Sequence, residues 1–276
     1  MIDVPAVMLL DGTSMPRLGL GTWPMDDAQA TRAVSEALGM GYRLIDTAAA
    51  YGNEAGVGEG IAAAGVPREE IFVTTKLRGA QQGYAEALAA GEESRKRLGV
   101  DVIDLYLIHW PLPQVGRYLD SWRAMIELRE RGVVRSIGVS NFTPPQIEHL
   151  VAETGVRPVV NQIELHPDFS QPELRSWHAE QGIVTEAWSP LGRTRNLGRP
   201  EIEEIAAAHG RSPAQIALRW HVQLDDVPIP KSANPERMRE NLDVFDFELS
   251  EEEMARLDGL DRGARQGGDP DRHEEF

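Results

Sequence analysis

The run Phe72-Val73-Thr74-Thr75-Lys76 is the stretch of sequence that decides the fold. It is a continuous apolar and β-branched run, typical of a parallel strand that is buried on both faces. Similar runs recur roughly every 30 residues. They are Leu18–Leu20, Leu44–Asp46, Phe72–Thr75, Leu105–Ile108, Ser136–Val139, Val159–Gln162, Val184–Ala187 and Val227–Ile229.

Helix-like segments separate these runs, among them Ala28–Leu38, Tyr84–Leu98, Arg117–Arg131 and Pro213–Leu224. Gly39, Gly99 and Gly132 stand where helices would end. Eight strand–helix units in 276 residues predict a (β/α)8 TIM barrel. An open doubly wound sheet is the rival fold, but no G-x-G-x-x-G motif follows any of the runs.

Additions to the barrel are expected at both ends of the chain. Val7–Leu10, Asp11-Gly12 and Met15–Leu18 predict an N-terminal β-hairpin with a primed turn. The long interval before the last strand has room for an extra helix at Glu201–His209, and another begins at Asn234-Pro235. We interpret residues 1–276 as a single domain whose residues 263–276 form a C-terminal tail.

Composition restricts the possible partners of the chain. With 28 basic and 44 acidic residues, the formal charge of −16 disfavours nucleic acid and anionic membranes. There is no cysteine, so thiol catalysis and disulfides are excluded. The N-terminus does not resemble a signal peptide, and no run is long enough for a membrane span, so we expect a cytoplasmic protein.

Lysine is rare in this chain, and its positions are informative. Only Lys76, Lys96 and Lys231 occur, and two of them follow predicted strands. In a barrel, the residues at the carboxyl ends of the strands carry the chemistry. The polar residues at those ends include Asp46, Lys76, His109, Ser140, Asn141, Gln162, Glu164, Glu186, Ser189, Lys231 and Ser232.

Four of these neighbouring residues form a chemically coherent set. Tyr51 lies just beyond the strand that ends at Asp46, and a phenol is a poor acid at neutral pH. An ammonium such as Lys76 lowers the pKa of a nearby phenol, and a carboxylate such as Asp46 would hold that ammonium in place. With His109 to orient an oxygen, the set predicts a proton donor for carbonyl reduction.

Three motifs identify a known family. They are Gly41–Ala48 with Tyr51-Gly52-Asn53-Glu54, then Arg135–Phe142, then Ile229-Pro230-Lys231-Ser232 with Arg237, Glu240 and Asn241. In this order and spacing, they resemble the aldo-keto reductases, and most closely the bacterial branch that includes the 2,5-diketo-D-gluconate reductases. The resemblance covers nearly the whole chain and implies a (β/α)8 barrel that binds NADPH.

The resemblance also implies a role for each matching residue. Tyr51 would be the general acid, Lys76 and Asp46 its tuning pair, and His109 the group that orients the carbonyl. The implied cofactor-binding residues are Gly21 and Thr22; Ser140, Asn141 and Gln162 for the nicotinamide carboxamide; Trp188 for the ring; Ser189 and Leu191 for the pyrophosphate; Lys231, Ser232 and Arg237 for the 2′-phosphate; and Glu240 and Asn241 for the adenine.

The phosphate site is also expected on physical grounds. Lys231 and Ser232 precede a helix that begins at Asn234-Pro235, and barrels commonly bind phosphate there. Free N–H groups at a helix start favour an anion, and Arg237 adds positive charge. NADPH should therefore be preferred to NADH.

The substrate end is predicted to be aromatic and open. Trp23 and Trp110 would form a rim with Tyr51 and His109, and short loops would tolerate many small carbonyl, dicarbonyl or keto-sugar substrates. Arg78 stands where the family often has an aromatic residue, and its charge could attract an anionic keto acid.

Two other functions stay open from the residues alone. Glu164 and Glu186 could form the carboxylate pair of a glycoside hydrolase. A cofactor-binding sensor with slow turnover is the other, although binding alone does not require the Asp46, Tyr51, Lys76 and His109 set. Glu164, His166 and His109 match no metal-ligand spacing, so we expect no metal. A monomer is expected from the family resemblance.

Overall fold

The computed structural model describes residues 4–195 and 197–275, within which ten strands are present. They are β1 (Ala6–Met8), β2 (Ser14–Pro16), β3 (Gly19–Gly21), β4 (Leu44–Asp46), β5 (Phe72–Leu77), β6 (Ile103–Ile108), β7 (Val134–Ser140), β8 (Val160–Glu164), β9 (Val184–Trp188) and β10 (Val227–Pro228). Strands β3 to β10 pair in chain order, all in parallel, and a bridge between Gly21 and Lys231 joins the two edges. The predicted barrel is confirmed, and the open doubly wound sheet is excluded.

The barrel strands are buried because helices cover their outer face. Every residue of β5 and β6 is buried, as a continuous apolar run predicts. The parallel register sets Asp46 beside Thr74, and Gln162 lies between Ser140 and Glu186. Polar side chains of adjacent strands therefore meet at one end of the barrel.

Ten α-helices occur in the described part of the chain. They are α1 (Asp27–Met40), α2 (Glu54–Ala63), α3 (Tyr84–Leu98), α4 (Tyr118–Glu130), α5 (Pro144–Thr154), α6 (Pro172–Gln181), α7 (Pro200–His209), α8 (Pro213–Gln223), α9 (Pro235–Leu242) and α10 (Glu251–Asp258). The extra helices expected near the C-terminus are α7 and α9, and α10 is a further helix that no sequence signal had indicated. None of the helices in the described ranges is both long and apolar enough to cross a bilayer.

The predicted helix ends are partly correct. Gly99 ends α3 in the left-handed conformation, with φ 63°. Gly39 was expected to end α1, and that prediction is wrong, because the helix continues to Met40 and Gly41 takes the left-handed conformation with φ 116°. Gly132, with φ 73°, follows Arg131, which caps α4.

The N-terminal hairpin is confirmed, but its predicted primed turn is wrong. The N–H of Leu9 donates to Thr13 O, and the N–H of Gly12 donates to Leu9 O, which defines a three-residue loop. Gly12 has φ 86°, and a type I turn followed by one left-handed residue needs only that one positive φ. Leu9 and Met15 pack against the first residues of β4 and β5, so the hairpin covers the amino ends of the strands.

The C-terminal segment, described to Glu275, folds back over the carboxyl ends of the barrel strands. The N–H groups of Gln266 and Gly267 donate to the carboxylate of Glu164 at 2.6 and 2.7 Å. The His273 ring packs against Trp110, with ring centroids 4.0 Å apart. The sequence predicted a tail at residues 263–276 but did not predict where it would pack. Phe276, the last residue of the tail, lies outside the described residues, as do positions 1–3 and 196.

His178 links the helix layer to the barrel without carrying a charge. It is fully buried in α6, where its Nε2 lies 2.9 Å from Asn161 Nδ2 and its Nδ1 lies 3.0 Å from Thr185 Oγ1. Since Asn161 Nδ2 can only donate, Nε2 must accept and Nδ1 must carry the proton. Burial lowers the pKa of His178 to about 4.

This neutral histidine predicts a loss of stability in acid. In the unfolded chain a histidine titrates near ~6.5, so the unfolded state binds more protons than the folded state between that pH and about 4. The free energy of unfolding should fall as pH decreases through this window, with about 2 kcal/mol lost at pH 5 through His178. Urea unfolding of the wild type and of His178→Gln at pH 8 and pH 5 measures it.

The exposed His149 provides the matched control for this experiment. His149→Gln should keep the wild-type pH dependence, whereas His178→Gln should lose part of it. Equal acid losses of stability in wild type and His178→Gln would contradict the assignment.

Candidate active site

A buried ion pair joins the ends of β4 and β5. Lys76 Nζ lies 2.6 Å from Asp46 Oδ1 and donates to Thr47 O at 2.9 Å. The Lys76 side chain is 0 % exposed and that of Asp46 is 3 % exposed. Burial alone would lower the pKa of Lys76, but Asp46 and Tyr51 outweigh it, so the pKa lies above its ordinary value. Lys76 is therefore a fixed positive charge.

Tyr51 stands above this pair in a short 3₁₀ turn, Ala49–Tyr51. Lys76 Nζ lies 3.4 Å from Tyr51 Oη and 5.2 Å from the centre of the ring. Burial raises the pKa of Tyr51 above its ordinary value, and Lys76 opposes that rise. The predicted effect of Lys76 is present, but burial outweighs it, so the phenol holds its proton at neutral pH.

His109 forms the adjoining wall, directly after β6. Its ring meets that of Tyr51 edge-on, with centroids 5.7 Å apart. On its other side, His109 Nδ1 lies 2.6 Å from Glu275 Oε1 of the tail, and Glu275 Oε2 accepts the N–H of Gly79 at 2.8 Å. Burial alone would raise the pKa of Glu275, but these two contacts hold it below its ordinary value, so a carboxylate is present behind His109.

A cavity of about 350 Å³ extends from these groups to the loop after β10. Its lining comprises Gly21, Thr22, Trp23, Asp46, Tyr51, His109, Trp110, Ser140, Asn141, Gln162, Trp188, Ser189, Arg193, Ile229, Lys231, Gly267, Gly268 and His273. The structure thus brings most of the sequence-predicted site residues into one groove, with the Tyr51 end closed and Lys231 exposed at the other end.

The remaining predicted residues lie outside that lining. Lys76 is beneath it, bonded to Asp46, and Leu191 packs partly buried against the core. Ser232, Arg237 and Asn241 continue from Lys231 into α9; Ser232 Oγ accepts the N–H of Asn234, and Arg237 is exposed. Glu240 lines a separate surface cavity with Arg211 and Arg239, and Arg78 is exposed beyond β5.

Polar side chains that hydrogen-bond to one another form the floor of the groove. Asn141, with φ 62°, donates from Nδ2 to His109 O and Ser140 Oγ. Its Oδ1 accepts from Trp188 Nε1 at 2.8 Å, which fixes the half-buried indole against the groove. Gln162 lies beside them, its Nε2 donating to Asp46 Oδ2 at 2.8 Å.

These features fit a nicotinamide dinucleotide. Amide and hydroxyl groups suit a carboxamide, and the Trp188 indole offers a flat face to an aromatic ring. At the open end, Lys231 is followed by α9, whose first turn is capped by Asn234 Oδ1 on the N–H of Arg237. A helix start with two cations nearby suits a phosphate.

Sequence reasoning missed the contributions of the tail and of Arg193. Arg193 Cζ lies 5.9 Å from the Trp23 ring centre across the groove. Gly267, Gly268 and His273 close one side, and a Cβ on Gly267 would lie 2.3 Å from Trp188. The adjacent pair of glycines was the available signal, because glycine allows the backbone to approach a side chain this closely.

The two carboxylates that suggested a glycosidase do not face a common space. Glu164 accepts N–H groups of the tail and contacts His166 at 3.1 Å. Glu186 is buried beneath Gln162, and neither lines the groove. Within residues 4–195 and 197–275, no group of three His, Asp or Glu side chains could hold a metal ion.

Comparison with known proteins shows the family of the chain. The family model described as the aldo/keto reductase family matches residues 17–262. An aldo-keto reductase of Mycolicibacterium smegmatis is 53% identical over 266 residues, covering 96% of this chain and 97% of the relative. A Corynebacterium protein named 2,5-diketo-D-gluconic acid reductase B is 51% identical over 277 residues, covering both chains fully (100% each).

Solved structures give the same result. The apo form of Gox0644 superposes with a TM-score of 0.95 at 47% identity, covering 99% of each chain. A variant of Gox0644 in complex with NADPH superposes with a TM-score of 0.94 at 47% identity, covering 97% of this chain and 98% of that chain. An aldo/keto reductase from Brucella melitensis superposes with a TM-score of 0.91 at 51% identity, covering 94% of this chain and 100% of that chain.

The chain belongs to the aldo/keto reductase family. It is therefore an NADP(H)-dependent oxidoreductase, as the sequence motifs predicted, and the similarity to the 2,5-diketo-D-gluconate reductase branch is confirmed.

The contact between the tail and His109 predicts an effect on carbonyl binding. Glu275→Gln removes the charge that holds the His109 ring, so we expect KM for a neutral carbonyl such as methylglyoxal to rise about threefold to tenfold. The Kd of NADPH should not change, because Glu275 contacts His109 and not one of the predicted cofactor-binding residues. Steady-state kinetics and NADPH fluorescence titration measure the two quantities.

The adjacent Glu274 is exposed and gives the matched control. Glu274→Gln should behave as wild type. Identical KM values for the two variants would show that the Glu275 contact does not affect the carbonyl site.

Proposed function

We propose that this chain reduces small aldehydes, ketones, dicarbonyls or keto sugars to alcohols with NADPH, using Tyr51 as the proton donor. The observation that carries the proposal is the chain of contacts from Asp46 through Lys76 to Tyr51, at the closed end of the groove beside His109. Such a set is needed for proton transfer and not for binding alone.

The chemistry divides between cofactor and protein. When bound, NADPH supplies a hydride from C4 of its nicotinamide ring to the carbonyl carbon. Tyr51 Oη gives its proton to the carbonyl oxygen, so its O–H bond breaks as the alcohol O–H bond forms. Lys76 Nζ, 3.4 Å away, stabilises the phenolate that remains. His109 orients the carbonyl oxygen, and Trp23 and Trp110 exclude water from the reaction.

The cofactor would lie along the groove with its nicotinamide at the closed end. Ser140, Asn141 and Gln162 would bind the carboxamide, Trp188 would stack on the ring, and Gly21 and Thr22 would flank it. Ser189 and Leu191 would hold the pyrophosphate. The exposed Lys231 and Arg237, with Ser232, would bind the 2′-phosphate, and Glu240 and Asn241 would bind the adenine. The exposed Lys231 at the open end of the groove, followed by the exposed Arg237 on α9, supports this direction.

The substrate site is small, aromatic and partly formed by the tail. A carboxylate behind His109 and aromatic walls at Trp23 and Trp110 favour small carbonyls with few charges near the reacting carbon. Arg78 lies outside the cavity lining, so its effect on an anionic keto acid is confined to long-range attraction. Keto-sugar acids are candidate substrates because the Corynebacterium relative is named 2,5-diketo-D-gluconic acid reductase B.

For the cellular context, we propose a cytoplasmic monomer in which residues 1–276 act as one domain. Tyr51, His109 and Lys231 of this chain line one groove, which supports the proposal. The charge of −16 favours neither nucleic acid nor an anionic membrane as a partner.

One assay separates this proposal from its alternatives. NADPH consumption at 340 nm with methylglyoxal should proceed at steady state. A sensor would change NADPH fluorescence with negligible turnover, and a glycoside hydrolase on the same fold would ignore NADPH. Either of those results would overturn the proposal.

Tyr51→Phe should abolish reduction, with kcat lowered by about 10²- to 10⁴-fold, because the proton donor is lost. NADPH affinity should stay within about twofold. The exposed Tyr84 supplies the control, since Tyr84→Phe removes a hydroxyl that contacts Glu127 and does not line the groove. Activity retained in Tyr51→Phe would overturn the assignment of the acid.

Arg237→Ala should raise KM for NADPH by about tenfold while leaving KM for NADH nearly unchanged, because only NADPH carries the 2′-phosphate. Arg123→Ala, which alters an exposed arginine on α4, is the control and should change neither value. Equal effects of Arg237→Ala on both cofactors would refute the phosphate role.

A further inference from the structure

Glu186 is a buried acid that the proposed mechanism does not use. It lies on β9, paired in register with Gln162 of β8, and it is 0 % exposed. Its Oε2 accepts from Gln162 Nε2 at 2.7 Å, while its Oε1 has no hydrogen-bond partner among the described residues. A buried carboxyl with one satisfied oxygen requires an explanation.

The position of Glu186 fixes the orientation of a neighbouring amide. Gln162 Nε2 has two hydrogens, and they point to two carboxyl oxygens, Asp46 Oδ2 and Glu186 Oε2. Only the NH₂ end of the amide can satisfy two such acceptors. Because the amide is planar, its carbonyl oxygen must point away from both acids. Gln162 lines the groove, so that oxygen is left to face it.

We propose that Glu186 is a positioning residue for the cofactor: it holds Gln162 so that the amide oxygen accepts the NH₂ group of the nicotinamide carboxamide. The inference rests on the proposed function, which puts the nicotinamide at this end of the groove. Asp46 alone could hold one N–H of Gln162, but a second acceptor is needed to prevent rotation of the amide.

The chemical form of Glu186 agrees with this role. The charged groups that face it are Asp46 and Lys76, with the Gln162 amide between them. Burial raises the pKa of Glu186, and Asp46 raises it further. The neutral acid still accepts from Gln162 through Oε2 and can carry its proton on Oε1. It therefore orients the amide without adding a second negative charge that would compete with Asp46 for Lys76.

The test compares two ligands that differ in the one group concerned. NADP⁺ carries the carboxamide NH₂, whereas its 3-acetylpyridine analogue has a methyl group there and cannot donate to Gln162. Wild type should bind NADP⁺ about tenfold more tightly than the analogue. In Glu186→Leu, and in Glu186→Ala should the first variant unfold, the preference should fall to about twofold through weaker binding of NADP⁺. Binding is measured by calorimetry, with folding checked by thermal melting.

Further variants separate positioning from a general structural effect. Glu186→Gln keeps an acceptor oxygen for Gln162 and should retain the preference. Gln162→Leu should remove it, and the double variant with Glu186→Leu should be no worse than Gln162→Leu alone, because both changes act through one amide. Glu54→Gln alters another buried acid, bonded to Thr75 and Arg97, and should leave the preference intact.

Three results would overturn the proposal. The first is an equally large loss of affinity for both ligands in Glu186→Leu. The second is an additive loss of NADP⁺ affinity in the double variant, and the third is no preference for NADP⁺ over the analogue in wild type. Failure of the proposed function would differ, because methylglyoxal would then not be reduced even though the ligand preference could still be measured.

Discussion

The buried pair of Lys76 and Asp46 is the interaction on which the functional end of this barrel depends. Removing two charges from water is costly, and breaking such a pair by loss of one partner typically costs about 3–5 kcal/mol. The pair persists because each charge has further partners: Thr47 O accepts from Lys76, and Gln162 donates to Asp46. Tyr51 contacts Lys76, and Gln162 donates to Asp46, so the pair positions both side chains. Tyr51, the proposed proton donor, and the amide groups on the floor of the groove therefore share one anchor.

Protonation states complement this arrangement. Lys76 is held positive, while burial favours the neutral forms of Tyr51 and Glu186. Within this cluster, the positive charge of Lys76 therefore faces the single carboxylate of Asp46. In a chain with a net charge of −16, the acidic excess stays mainly on the surface, and Lys231 and Arg193 leave the open end of the groove locally positive. An anionic cofactor can approach such a surface from that side.

Much of the fold and the site could be predicted because the signals are local. Buried strands appear as apolar runs, and rare lysines at their ends mark Lys76 and Lys231. The turn at Asp11-Gly12 was misjudged because the dipeptide does not reveal that Leu9 and Thr13 pair across a three-residue loop. The pKa of Tyr51 was misjudged because the neighbouring charge is visible in the sequence but the extent of burial is not. The contacts of Glu275 with His109 and of Glu186 with Gln162 depend on packing between distant segments.

The placement of the two chain ends has a practical consequence for handling the protein. The β1–β2 hairpin packs at the amino ends of the strands, whereas Glu275 lies beside His109 at the opposite opening. A fluorescent group attached near Glu275 would therefore lie beside His109, while one attached to the β1–β2 hairpin would lie on the far face of the barrel. Labelling schemes should use the hairpin side.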